Sequence, residues 1–428
     1  MKILIKNAYI ITCDDDRPII ECGFLGTEDG KIKFVTESAP EDFKADKIIN
    51  ANGNIVLPGF SNAHSHVAMT LLRSFSEGYK LQEWLNDKIF PTEDKLTAYD
   101  IGIGTELGIM ESLRFGTTLI NDTYFSLDEA MEAYVKSGIN ANISRCVMNF
   151  EEKDDFSDDY RVNEAIALFD KFHNFDNGRI KIEMFPHAIY TSSYGYLKYV
   201  SQKAKEKGMK VTSHLCENQT EVDGSYEKFG KSPVEVYKEL GLLDGITNMA
   251  HCVVLNDNDI SLLKGHFITH NPTSNLKLSS GIADVIKYTQ NGITVALGTD
   301  GASSNNNLSM IEEMHLAALL MCYRHDPSMV QPYDVIKMAT LNGALAMDRD
   351  TKGILKAGYD ADFIMLDVSE AYHHPVINPV NNLVYAASGT DVCLTVANGR
   401  ILYENGEFKT LDEERIKSEA AKIKERIY

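Results

Sequence analysis

The stretch NIVLPGFSNAHSH, residues 54–66, sets an apolar run against two histidines separated by one serine. In an extended strand successive side chains alternate faces, so His64 and His66 project the same way, about 7 Å apart along the strand. Two imidazoles on one face can share a metal ion. Ile55, Val56 and Leu57 read as a short buried strand, and Pro58-Gly59 breaks the pattern just before the histidines, as at a strand exit. The competing reading of the pair alone is two hydrogen-bonded histidines on a loop. Further ligands must come from elsewhere in a chain of twelve histidines.

From Pro58 to about Asp350 the texture repeats: short apolar runs alternate with longer helical segments. The runs are GTTLIND, NANISRCVMNF, IKIEMFPHAIY, MKVTSHLCE, ITNMAHCVV, HFITHNP and GITVALGTD, and with NIVLPGF they make eight candidate strands. Repeated strand-then-helix units imply parallel pairing and right-handed crossovers, which predicts an α/β protein with a (β/α)₈ barrel of the TIM type. Outside the barrel, KILIKNAYII, KIKFVTES, DADFIMLD and VCLTVANGRILYENG are short strands separated by turn residues. Residues 1–57 and 351–428 are therefore expected to form one small discontinuous β-sandwich domain around a catalytic barrel of residues 58–350. Ile416, Ala420, Ile423 and Ile427 recur at helical spacing and predict a C-terminal helix with a packing face.

Composition narrows the partners. The 428 residues carry 42 Lys+Arg against 62 Asp+Glu, a net charge of −20, which disfavours nucleic acid and anionic membrane surfaces and points to a small-molecule substrate. The N-terminal MKILIKNAYIITCDDDR lacks the long apolar core of a signal peptide, and no run is long enough to span a membrane. Seven scattered cysteines without a C-x-x-C pair fit a reducing cytoplasm. A homo-oligomer is compatible with all of this.

Barrel enzymes place their chemistry at the carboxyl-terminal ends of the strands. Those ends carry His64-Ser65-His66, Pro186-His187, His214-Leu215-Cys216-Glu217, Ala250-His251-Cys252, His270-Asn271-Pro272 and Thr299-Asp300-Gly301. A lone strand histidine is usually hydrogen-bonded core, but six polar exits at equivalent places are harder to dismiss. Three imidazoles and one carboxylate with an open position match a catalytic Zn²⁺ or Fe²⁺ site. Such a cation lowers the pKa of bound water to about 7. Asp300 is placed to accept a proton from that water, and Glu217 to carry one on the substrate side.

At this point the sequence resembles the amidohydrolase superfamily, and within it the deaminases acting on S-adenosylhomocysteine and 5′-methylthioadenosine. The resemblance runs through nearly the whole chain, in LPGFSNAHSH, WLNDKIFPTEDKLT, FGTTLIND, PHAIYTSS, SHLCEN, AHCV, HNPTSNLKLSSG, GTDGASSNN and GILKAGYDADFIMLD. It implies a single divalent metal, zinc before iron, held by His64, His66, His214 and Asp300, with His251 orienting the water or lying near the metal. It further implies that Glu217 contacts the purine, that Glu93 accepts the ribose hydroxyls, and that Arg145, Arg161 and His187 hold the homocysteine carboxylate. Ser304 joins the substrate contacts, and Trp84 is a candidate cover for the nucleoside. The segment departs from the family pattern at HLCEN, where Cys216 and Asn218 stand; Cys216 alternates away from the His214 face and reads as a buried neutral thiol.

The binuclear members of that superfamily bridge two metals with a carboxylated lysine at the end of the fourth strand, whereas here Lys181 starts that strand and Phe185-Pro186-His187 end it. Gly102, Gly104 and Gly108 do not space as a dinucleotide fingerprint and read as helix packing. A guanine or triazine aminohydrolase shares the same metal frame. A metal-binding scaffold without catalysis is the alternative of another class.

Overall fold

The computed structural model describes residues 1–428. Eight strands form the barrel: β1 (Phe60–His66), β2 (Thr117–Tyr124), β3 (Asn140–Val147), β4 (Ile180–Pro186), β5 (Thr212–Leu215), β6 (Asn248–His251), β7 (Phe267–His270) and β8 (Thr294–Leu297). They pair in parallel as β1 to β4 and as β5 to β8. The two arcs meet at a parallel bridge between Met184 and Val211. At the other seam Asp300–Gly301 pairs in parallel with Ser65–His66, and the Asn62 side chain exchanges hydrogen bonds with Thr299 at 2.7 and 3.0 Å.

One expectation is corrected here. The run read as the first barrel strand divides at Pro58-Gly59: Ile55–Pro58 belongs to the small sheet, antiparallel to Phe363–Leu366 and parallel to Ile3–Ile11. The barrel begins only at Phe60, and the same strand carries both histidines to its exit. A fully buried apolar run looks alike in either sheet, so its pattern does not say which it joins.

The small sheet has nine strands. In order they are Glu407–Phe408, Arg400–Glu404, Val392–Ala397, Phe363–Leu366, Ile55–Pro58, Ile3–Ile11, Ile19–Glu28 and Lys31–Thr36, with Lys47–Asn50 also pairing with Ile3–Ile11. Segments from both ends of the chain thus enclose a shared core that includes Ile5, Ile10, Leu25, Val56, Phe363 and Leu394. The C-terminal helix, Glu413–Ile427, lies instead against the barrel helix Ala98–Arg114, burying Ile416, Ile423 and Ile427 and pairing Arg415 with Glu106 and Arg426 with Asp100. No helix is long and apolar enough to cross a membrane.

Two glycines of GIGTELG position the site. A Cβ at Gly104 would stand 2.7 Å from the Ala68 carbonyl oxygen, and one at Gly108 would meet Val67 at 2.4 Å. Their absence of side chain lets the helix Ala98–Arg114 press against residues 67–72, the segment that leaves β1 directly after His66.

Candidate metal centre and active site

At the carboxyl ends of β1, β5 and β8 four side chains converge. Asp300 Oδ1 lies 3.3 Å from His66 Nε2 and 3.5 Å from His64 Nε2, while His66 Nε2 lies 3.2 Å from His214 Nε2. Ligand atoms 2.0–2.1 Å from a tetrahedral zinc are separated from one another by about 3.3 Å, so these spacings suit donors sharing one cation. The 3.2 Å contact is also what a protonated His66 donating to a neutral His214 would give, but the buried His64 Nε2 makes no hydrogen bond and is left free for a cation. The donor set therefore fits a divalent cation. Behind it, His66 Nδ1 donates to the Thr123 carbonyl at 2.9 Å, and Asp300 Oδ2 accepts from Ser274 at 2.6 Å and Ser304 at 3.0 Å. Such outer partners fix tautomer and orientation.

Electrostatics divide the groups without a metal. Burial pushes His64 down to about 4 and His214 well below its ordinary value. Burial also opposes charge on His66, but the hydrogen bond and charge of Asp300 outweigh it and raise His66 to about 9. Asp300, though buried, is held well below the carboxylate range by His64 and His66. Burial, with the Asp300 charge, lifts Glu217 to about 8, so it holds a proton at neutral pH.

His251 ends β6 with Nε2 3.8 Å from Glu217 Oε2, and its Nδ1 pairs with Asn275 Oδ1 at 2.8 Å. Cys216, His251, Cys252 and Asp300 all have positive φ, 50°, 71°, 47° and 60°. Each such non-glycine residue costs about 1–3 kcal/mol, strain that collects where strand exits must turn side chains toward a common point. Nearby, a Cβ on Gly298 would stand 2.8 Å from the His64 carbonyl, so only glycine permits β8 to approach β1 this closely.

A cleft of about 620 Å³, including its open mouth, rises from this centre. His66, His214, His251, Asp300 and Glu217 line one part of it; Trp84, Phe90, Glu93, Phe125, Cys146, Met148, His187 and Leu278 line others. Glu93 is buried, which lifts its carboxyl to about 7, and it accepts a 2.7 Å hydrogen bond from Tyr124. Trp84 starts a π-helical turn, Trp84–Ile89, and its buried indole Nε1 has no hydrogen-bond partner. His187 Nδ1 pairs with Thr191 Oγ1 at 3.1 Å.

Three expected site residues stand back from the cleft. Arg145 is buried, with Nε on Glu164 Oε2 at 2.9 Å and Nη1 on its neighbour's carbonyl, Cys146 O. Arg161 pairs with Asp159 at 2.9 Å and lies over the Tyr160 ring. Ser304 touches Asp300 from behind. Cys216 is a fully buried free thiol, its pKa raised by burial. Lys181 reaches the Asp348 carbonyl at 2.5 Å from the amino-terminal end of β4, the end opposite to His187. Ser274 and Asn275 lie in HNPTSNLKLSSG and Met148 in NANISRCVMNF, with no pattern there to mark them as site residues, and Glu221 lies three residues beyond SHLCEN.

Residues 55–402 match the amidohydrolase family. A 5-methylthioadenosine/S-adenosylhomocysteine deaminase of Acetivibrio thermocellus is 42% identical, covering 100% of each chain. A 5′-deoxyadenosine deaminase of Methanosarcina barkeri is 37% identical over 99% of this chain and 98% of its own. Among solved structures, an adenosine deaminase from Xanthomonas campestris with bound zinc superposes with a TM-score of 0.94 at 29% identity, covering 99% of this chain and 98% of that one.

Proposed function

This chain belongs to the amidohydrolase family, and on that premise we propose that it is a metal-dependent aminohydrolase acting at adenine C6 of S-adenosylhomocysteine and 5′-methylthioadenosine. The observation that carries the reading is the convergence of His64, His66 and His214, and of His64 with Asp300 and His251, beside the buried Glu217 at the base of an apolar cleft. The names of the two relatives support an adenine nucleoside with a modified 5′ position, and Cys146 and Met148 in the cleft wall suit a thioether.

We assign His64, His66, His214 and Asp300 as ligands of one divalent cation, zinc before iron. When bound, that cation supplies Lewis acidity and water of lowered pKa. Glu217 gives its proton to a ring nitrogen of the purine as the water oxygen bonds to C6. Asp300, its second oxygen held by Ser274 and Ser304, takes a proton from the attacking water and returns it to the amino group. The C6–N bond then breaks and ammonia leaves, while the hydroxyl left at C6 becomes a carbonyl by giving its remaining proton back to Glu217, which restores the carboxyl for the next turnover. His251 faces Glu217 and steadies the developing charge. Glu93 accepts the ribose hydroxyls, Trp84 covers the nucleoside, and His187 with Arg145 and Arg161 receives the homocysteine carboxylate. Seven free cysteines support a cytoplasmic setting.

The test is ammonia release by the zinc- or iron-loaded protein from a panel of nucleosides, guanine and aminotriazines. Fastest turnover of the 5′-substituted adenosines supports the proposal. Faster turnover of guanine or a triazine moves the chain to another branch, and stoichiometric metal without any turnover indicates a scaffold.

A further inference from the structure

Glu221, on the first turn of the helix Gln219–Phe229, is buried at 3% exposure. A glutamate three residues after an N-cap ordinarily returns to the N-cap backbone N–H. Here Asn218 is the cap and its Oδ1 accepts the Glu221 N–H at 2.9 Å, but the Glu221 carboxylate reaches further back. Its Oε1 accepts the Cys216 N–H at 3.0 Å and its Oε2 the Glu217 N–H at 2.8 Å. Both oxygens are thus spent on the peptide where β5 ends.

That peptide is the left-handed turn at Cys216. The Cys216 carbonyl accepts the N–H groups of Val253 and Val254, both at 3.0 Å, immediately after the left-handed pair His251-Cys252. One continuous set of hydrogen bonds therefore runs from Glu221 through the Cys216-Glu217 backbone to the turn that presents His251. The side chains that this set of bonds presents, Glu217 and His251, lie 3.8 Å apart. Glu221 itself does not line the cleft.

We infer that Glu221 is a positioning residue: it holds the Cys216 turn so that the Glu217 carboxyl faces His251 and the substrate. The inference rests on the assignment of Glu217 as proton carrier, and the experiment separates the two. Glu221→Gln leaves one amide oxygen for two N–H donors and turns an NH₂ toward one of them. It is expected to lower kcat by about a hundredfold, the scale of a small misplacement at a reacting group, with KM and metal content unchanged. In a Glu217→Gln background the same substitution should cost less than about twofold, because a group acting only through Glu217 has nothing left to position. An equal loss in both backgrounds, or loss of metal, overturns the inference and leaves the Glu217 assignment standing. Normal turnover of Glu217→Gln alone removes both. If Glu221→Gln does not fold, Glu221→Asp, which keeps two charged oxygens on a shorter arm, is carried through the same cycle with the same criteria.

Discussion

Asp300 Oδ1 lies 3.3 Å from His66 Nε2, and the parallel pairing of Asp300–Gly301 with Ser65–His66 holds the two residues there. The strand that closes the barrel is also the one that delivers the carboxylate to the imidazoles. The pairing that closes the barrel thus also sets the spacing of Asp300 from His66.

The same pair sets the proton balance of metal uptake. Without metal His66 is held protonated up to about 9, whereas His64, at about 4, is already neutral near pH 7. A ligating imidazole must lose its proton, so Zn²⁺ binding at pH 7–8 should release about one proton from His66, in addition to any lost by the water on the cation, and tighten by at least about tenfold per pH unit until His66 titrates. Raising pH favours binding because the proton must leave before the cation enters. Calorimetry in buffers of different protonation enthalpy measures this, and zero release would contradict the His66–Asp300 pairing.

Replacing His64 and His66 together with alanine should weaken metal binding by more than about a hundredfold, beyond what loss of an outer partner causes. The barrel should remain folded, since both rings sit at the exit of β1 and the parallel pairing of that strand with β2 does not depend on them, although the buried His64 ring also packs on Phe185. Metal analysis after dialysis and far-ultraviolet dichroism check both halves. Retained metal with normal turnover would give the histidine pair another purpose.

Trp84 is the only tryptophan of the chain. It lines the cleft, so saturable change in intrinsic fluorescence on adding nucleoside reports occupancy directly. Trp84→Phe should abolish the signal and raise KM by about fivefold, the worth of about 1 kcal/mol of aromatic packing on the nucleoside. An unchanged emission at saturating substrate would leave Trp84 as packing.

Arg145 and Arg161 are committed to Glu164 and Asp159, so a substrate carboxylate must compete for them. Arg145→Met with Arg161→Met should therefore depress kcat/KM for S-adenosylhomocysteine at least about tenfold more than for 5′-methylthioadenosine, which has no carboxylate to receive the bidentate fork. Equal losses on the two substrates would reject the carboxylate role.

Much of this was legible because the barrel repeats one unit, and each apolar run ended on a polar residue that parallel pairing brings to the same rim. His64, His66, His214, His251 and Asp300 stood out in that way. The run Ile55–Pro58 misled because continuous burial carries no period to distinguish one sheet from another. Ser274, Asn275 and Glu221 gave no signal because their roles lie in hydrogen bonds to distant or diverted backbone and side chains. The π-turn at Trp84 was equally silent, since a widened turn keeps the same apolar residues. The engagement of Arg145 with Glu164 likewise depends on how the helix Tyr160–Phe172 lies beside β3.

The most direct measurement of hydrolytic deamination is the fate of solvent oxygen. Metal-loaded protein should turn over 5′-methylthioadenosine in water enriched in heavy oxygen, with one labelled oxygen at C6 of the product for each ammonia released, detected by mass spectrometry. Glu217→Gln should slow this labelling by at least about two orders of magnitude while retaining metal. Ammonia without label at C6, or no conversion of any 5′-substituted adenosine by the metal-loaded protein, would contradict the account.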